Sequence, residues 1–197
     1  MKTPHNIPPP SRSGLVTDNY GDTMTRQPLG YFITFTTYGS WLHGDSRGSI
    51  VKGKTTKFLP ENPALRAYEK SVQEHQTVVL DSEAREIVRQ AILETCRFRE
   101  WLLYAAHIRS THIHLVLKAG ASPERVLIDL KAYATRNLRK NGYKQPRFWT
   151  LHGSTRYLNS VSQLNKSIHY TIFEQGDPML ICLNPDLTPQ FPYKPEA

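Results

Sequence analysis

The run Thr111-His112-Ile113-His114-Leu115-Val116-Leu117 places two imidazoles two residues apart in an apolar, β-branched stretch. In a strand, alternate side chains face opposite ways. His112 and His114 would therefore share one face, and Ile113, Leu115 and Leu117 the core face. Two imidazoles so placed can ligate one divalent metal. The plainer alternative is a pair of surface histidines on a half-exposed strand. Further along, Val161, Leu164, Ile168 and Ile172 recur as one stripe at about 100° per residue, the spacing of a helix. Tyr170 falls opposite that stripe, where packing the helix on a sheet does not require it. Glu174 follows one turn later on the same side, and Gln175 leans toward the apolar stripe. A phenol beside a carboxylate offers a nucleophile and a metal ligand. An exposed tyrosine with a solvated glutamate is the plainer reading. Tyr133 is a rival nucleophile, but its place beside the stripe Leu127, Leu130, Ala134 and Leu138 predicts half-buried packing.

Elements of ordinary length would position these groups. YFITFT (31–36) reads as a strand and the glycine-rich 38–49 as a loop. Residues 63–75 read as a short helix after Pro63. Residues 81–99 read as a longer helix, capped by Asp81 or Ser82, with Ile87, Val88, Ala91, Ile92 and Cys96 on one stripe. Strands over 101–108 and 112–119 should pair antiparallel. Ser122-Pro123-Glu124 opens a helix that runs to about Lys140, where Asn141-Gly142 stops it. Residues 147–158 read as a loop with a short strand. Ser160 and Gln163 form a capping box for the last helix, which runs to about Gln175. The order strand, helix, strand, strand, helix, strand, helix predicts an α+β fold. Its expected form is a ferredoxin-like split β-α-β sandwich with an antiparallel sheet and an added C-terminal helix that carries the chemistry. Three segments are expected: an N-terminal arm (1–28), one folded unit (29–176) and a proline-rich C-terminal tail (177–197), five prolines falling in the last 22 residues.

Hydrophobic residues make up 39% of the 197, enough for one core. No apolar run is long enough to span a membrane, and no secretory leader opens the chain. The two cysteines, Cys96 and Cys182, have neither metal-site nor disulfide-framework spacing, so a cytoplasmic location is expected. Net charge is +8. Between Pro123 and Tyr170, lysines and arginines are opposed only by Glu124 and Asp129. Lys131, Arg136, Arg139 and Arg156 stand there among Tyr133, Tyr143, Phe148, Trp149 and Tyr157. Cations interleaved with aromatics suit unpaired bases on a phosphate backbone, though a solvated basic face accounts for the charge equally well. Trp41, His43, Trp149, His152 and Arg156 fall in loops whose composition fits DNA contact.

The histidine–hydrophobe–histidine strand, the interval from His114 to Tyr170 and the late tyrosine helix together resemble the HUH single-tyrosine transposases. The REP-associated tyrosine transposases and small insertion-sequence transposases are the nearest in pattern, over about 30–176. The resemblance implies metal-dependent nicking and strand transfer of single-stranded, hairpin-bearing DNA through a 5′-phosphotyrosine. Tyr170 would be the catalytic nucleophile and His112 and His114 the ligands of Mg2+ or Mn2+. The family's third ligand is an amide four residues after the tyrosine. Glu174 occupies that place here and the amide, Gln175, comes one later, so either is the expected third ligand. DNA contacts are expected from Lys131, Arg136, Arg139, Trp149, His152 and Arg156, nucleoid association follows from DNA binding, and a homodimer is compatible with the family. The alternatives are a catalytically silent or domesticated nucleic-acid-binding module on the same fold, and a metal-dependent nuclease without strand transfer.

Overall fold

The computed structural model describes residues 27–51 and 57–184. The expected N-terminal arm (1–28) lies almost wholly outside the described residues, as do the last residues of the chain.

Four strands build most of the sheet: β1 (Gly30–Thr36), β4 (Leu102–Ile108), β5 (His112–Lys118) and, at one edge, β6 (Ser154–Leu158). A short hairpin, β2 (Ser49–Val51) and β3 (Lys57–Leu59), stands apart, and β7 (Leu180–Leu183) closes one edge. The five-stranded sheet runs β6-β1-β5-β4-β7, every pair antiparallel. Its first four strands have the spatial order of the ferredoxin-like fold that the element order predicted. Four helices accompany them: α1 (Pro63–Ser71), α2 (Ser82–Phe98), α3 (Pro123–Lys140) and α4 (Val161–Phe173).

Period-two alternation divides the sheet into two faces. Ile33 and Phe35 of β1 and Ile113, Leu115 and Leu117 of β5 face one way, where α2 and α3 bury Val88, Ile92, Leu130, Ala134 and Leu138 against them. Phe32, Ala105, Val116 and Leu158 face the other way, under Leu164, Ile168 and Ile172 of α4. Each fully buried aliphatic or aromatic side chain contributes about 1.5–3 kcal/mol, so the α2/α3 side carries most of the stability. The caps are those the sequence predicted. Asp81 accepts from the Ala84 amide at 2.7 Å, Ser122 caps α3 ahead of Pro123, and Ser160 with Gln163 closes a capping box on α4.

Three features depart from expectation. β7 forms inside the segment read as a tail (177–197): Leu180 to Leu183 is an apolar run between Pro178 and Pro185, long enough to pair with β4. The β2–β3 hairpin begins within the loop read over 38–49. Val161 is 63% exposed, because α4 meets the sheet chiefly through its later turns.

Candidate active site

His112 and His114 project from β5 onto the α4 side of the sheet, the face shared by Thr34, Thr36 and Phe32 of β1. Thr34 lies directly across the ladder from His114, and Thr36 from His112. The His114 ring stacks parallel to Phe32, with centroids 5.8 Å apart, and meets His112 edge-on at 4.9 Å. Its Nδ1 lies 2.9 Å from the Thr34 hydroxyl, which leaves Nε2 as the nitrogen for a ligand. His112 Nδ1 lies 3.2 Å from the Thr111 hydroxyl. Burial pushes the His112 imidazole down to about 4, helped by the charges of Arg109 and Arg47. Burial pushes His114 down to about 3, its histidine neighbours adding to the effect. Both rings are therefore neutral at pH 7, the form that can ligate a metal.

Tyr170 leaves α4 on its outward flank, 39% exposed. Its ring nevertheless reaches the sheet, edge-on to Phe32 at 5.8 Å and edge-on to His114 at 5.8 Å. The helical wheel placed the Cα opposite the apolar stripe. It did not show that a six-membered ring on a long stem returns to the histidines.

The two candidate third ligands part company. Glu174 caps α4, its amide donating to the Tyr170 carbonyl, and its carboxylate accepts His169 Nδ1–H at 2.9 Å. Gln175 comes near enough to the His112 side chain to favour its charged form slightly, and its Nε2 donates to the Tyr170 carbonyl at 3.1 Å. The helix has ended by then, and Gly176 adopts a positive φ of 71°, so the turn carries Gln175 inward. The structure thus gathers His112, His114, Tyr170 and Gln175, with Glu174 turned to His169. Among the described residues, no three of His, Cys, Asp and Glu gather as a metal-binding set.

Sequence reasoning missed three groups. His107, across the ladder from His114, is fully buried. Its Nδ1–H donates to the Thr171 carbonyl at 3.0 Å and its Nε2 accepts the Met179 amide at 3.2 Å, fixing a neutral tautomer. Arg109 donates to the Asp177 carbonyl at 2.8 Å. Together they hold the end of α4 and the turn bearing Gln175 to the sheet. Arg47, gripped by the nearly buried Asp45, stands close enough to disfavour charge on His112. Alternation along 102–108 could have revealed His107, as a third histidine on an adjacent strand. Arg47 carried no sequence signal beyond its loop.

The expected DNA contacts divide by layer. Lys131 is a loop clamp: its amine donates to the carbonyls of Thr150 at 2.7 Å and His152 at 2.9 Å, and burial pushes its pKa down to about 8. Trp149 belongs to the core, edge-on to Phe35 at 5.2 Å, with its indole N–H on the Thr135 hydroxyl. Lys131 turns back from α3 onto this loop and Thr135 of α3 meets the Trp149 indole, arrangements that linear charge and aromatic patterning cannot show. Arg136 and Arg139 also sit on α3, across the sheet from the histidines, Arg136 lying over the half-buried Tyr133 ring at 5.0 Å. Only Arg156 and His152 flank the histidine face. Arg156 and Lys166 line a groove of about 820 Å3 with Tyr170. His152, Trp41 and Arg47 line a second, of about 610 Å3, beside Thr34 and Thr36. Gly153 makes the second groove possible, since a Cβ there would stand 2.7 Å from the Thr34 carbonyl.

No protein-family model and no curated protein sequence matches the chain. Two solved structures are similar in fold. One is a REP-associated tyrosine transposase bound to a REP hairpin, 12% identical over 76% of this chain and 69% of that one, with a TM-score of 0.43. The other is a candidate transposase from Deinococcus radiodurans R1, 15% identical over 79% of this chain and 98% of that one, with a TM-score of 0.42. No residue's role follows from likenesses at that level; what the site can do follows from its own geometry. No helix among the described residues is long and apolar enough to cross a membrane.

Proposed function

We propose that the chain nicks and rejoins single-stranded DNA, flanked by hairpins, through a covalent bond to Tyr170. The observation that carries this reading is the contact of the Tyr170 ring with His114 at 5.8 Å between centroids, beside a second neutral imidazole and an amide. A buried and a half-buried histidine on the face of an exposed phenol are not needed to pack this fold. A solvated surface pair would titrate near 6.5.

His112, His114 and Gln175 would hold a divalent cation, Mg2+ or Mn2+. Two ring nitrogens and one amide oxygen leave coordination positions for hard phosphate oxygens. When bound, the cation supplies charge that stabilises a pentacoordinate phosphorus. The chain's own groups do the rest. Thr34 accepts the Nδ1 proton of His114 and so presents the Nε2 lone pair outward. Phe32 stacks on that ring and fixes its plane. Arg156 and Lys166 hold the DNA backbone beside Tyr170 as solvated cations. The Tyr170 oxygen attacks phosphorus, the bond from phosphorus to the 3′-oxygen breaks, the phenolic proton leaves to solvent and the 3′-oxygen takes one up. Attack by a 3′-hydroxyl reverses these changes and rejoins a strand, so no nucleotide cofactor is consumed.

Tyr170→Phe tests the proposal. The variant removes one half-exposed oxygen and keeps the ring, so folding and DNA binding should change by no more than about 0.5 kcal/mol. With 5′- and 3′-labelled hairpin oligonucleotides and Mn2+, denaturing gels should show a covalent adduct for the parent chain and none for Tyr170→Phe. Tyr133→Phe should behave as the parent. An adduct that survives Tyr170→Phe overturns the assignment. Tight binding without any adduct from the parent chain would instead make this a silent binding module.

A further inference from the structure

The groove of about 610 Å3 beside β1 is unused by the strand-cutting chemistry. Its floor includes Thr34 and Thr36, the residues directly across the ladder from His114 and His112. It therefore adjoins the candidate active site, the Thr34 hydroxyl lying 2.9 Å from His114 Nδ1. One wall carries Trp41, whose indole N–H is fixed on the Gly48 carbonyl at 2.8 Å and over which the Arg47 guanidinium stacks at 4.7 Å. Asp45 holds that guanidinium in place through two contacts, at 2.7 and 3.1 Å.

The opposing loop is fixed just as firmly. Lys131 clamps the carbonyls on either side of Leu151, and Thr150 bonds to Thr36 at 2.9 Å. The result is a leucine held 85% exposed at the groove. A flexible loop could fold such a side chain away; this one is braced with it outward. Aromatic and guanidinium planes, an apolar cap and a hydroxyl floor, with Arg47 and Glu69 as the charged groups of the lining, suit one ligand class. That ligand has flat apolar faces, polar edges and an anionic tether, which describes a nucleotide.

We propose that this groove seats an unpaired nucleobase adjacent to the phosphate at His112, His114 and Tyr170, with Trp41, Arg47 and Leu151 gripping it. The inference rests on the strand-cutting reading for which phosphate is cut, but its test reads binding alone. Base stacking on an aromatic side chain supports about 5- to 150-fold in affinity, so the seat both strengthens binding and fixes which linkage meets the tyrosine.

The test uses the full chain as Tyr170→Phe, so that no covalent bond forms, and fluorescence anisotropy with single-stranded oligonucleotides carrying one abasic site moved along the sequence. One position should be sensitive, losing about 10-fold in affinity. Leu151→Ser, at a solvent-exposed loop position and safe for folding, should weaken binding to the intact strand and erase the penalty of the abasic site at that position only. Trp41→Ala should do the same more strongly. If Leu151→Ser binds intact DNA as its parent does, or lowers affinity for every abasic oligonucleotide equally, the base seat is overturned. If the position-specific effect holds while the parent chain forms no adduct, the seat stands and the strand-cutting proposal falls.

Discussion

His112, His114 and His107 are bases that the fold keeps uncharged. All three have pKa values lowered, by burial first. The unfolded chain therefore binds more protons than the folded one below about 6.5. The sign follows directly. Their contribution to stability is complete above pH 6.5 and is lost as pH falls toward 4 for His112 and 3 for His114. With chelator present, the denaturant midpoint should fall between pH 6.5 and 4.5, above the range where carboxylates titrate. The double variant His112→Ala, His114→Ala should show a shallower fall, and an equal fall in both proteins would sink this account. At this scale the sequence was most legible where chemistry repeats at a short interval. The His pair could be read from strand alternation, and Gln175 could be kept as a candidate. The surroundings of Lys131 and Trp149 were not legible, because that Lys131 turns back from α3 onto the Thr150 and His152 carbonyls, and that the Trp149 indole meets Thr135, depends on packing between elements distant in sequence.

At the scale of elements, α4 positions Tyr170, yet only Ile168 and Thr171 of that helix are buried. Its C-terminal end is held by polar contacts instead, centred on His107 between the Thr171 carbonyl and the Met179 amide. His107→Phe keeps a ring of similar size and leaves both backbone groups without a partner. The Thr171 carbonyl is buried, whereas Met179 can turn its amide to water, and one orphaned buried group costs about 1–3 kcal/mol, so urea unfolding should show a loss of that size. A change within about 0.5 kcal/mol, the range of an ordinary surface substitution, would remove His107 from this role. Helices α2 and α3 and strands β1, β4 and β5 were legible because apolar spacing, caps and turn residues agree along each. β7 was not, because four apolar residues among prolines carry too short a pattern to outweigh composition. Tyr170 was half legible: the wheel gives the direction of its Cα, and only the packed sheet shows where its ring ends.

Across the whole molecule, the sheet separates two positive regions that looked like one along the chain. Arg156 and Lys166 share the groove with Tyr170, whereas Arg136 and Arg139 line a shallow surface on α3, in the opposite layer. If DNA wraps far enough to reach α3, Arg136→Ala and Arg139→Ala should each lower the slope of log affinity against log salt by about one. Adduct formation at saturating DNA should stay unchanged, since neither residue reaches the histidine face. An unchanged slope would leave them as solvated surface. A slowed adduct with normal binding would contradict their placement.

The meeting of Tyr170 with His114 is made within a single polypeptide. Under the proposed chemistry, a copy in this conformation would need no residue from a neighbour. Mixing intact chains with chains that carry His112→Ala and His114→Ala should then give adduct in direct proportion to the intact fraction; a yield that follows the square of that fraction would show that the tyrosine of one copy serves the histidines of another.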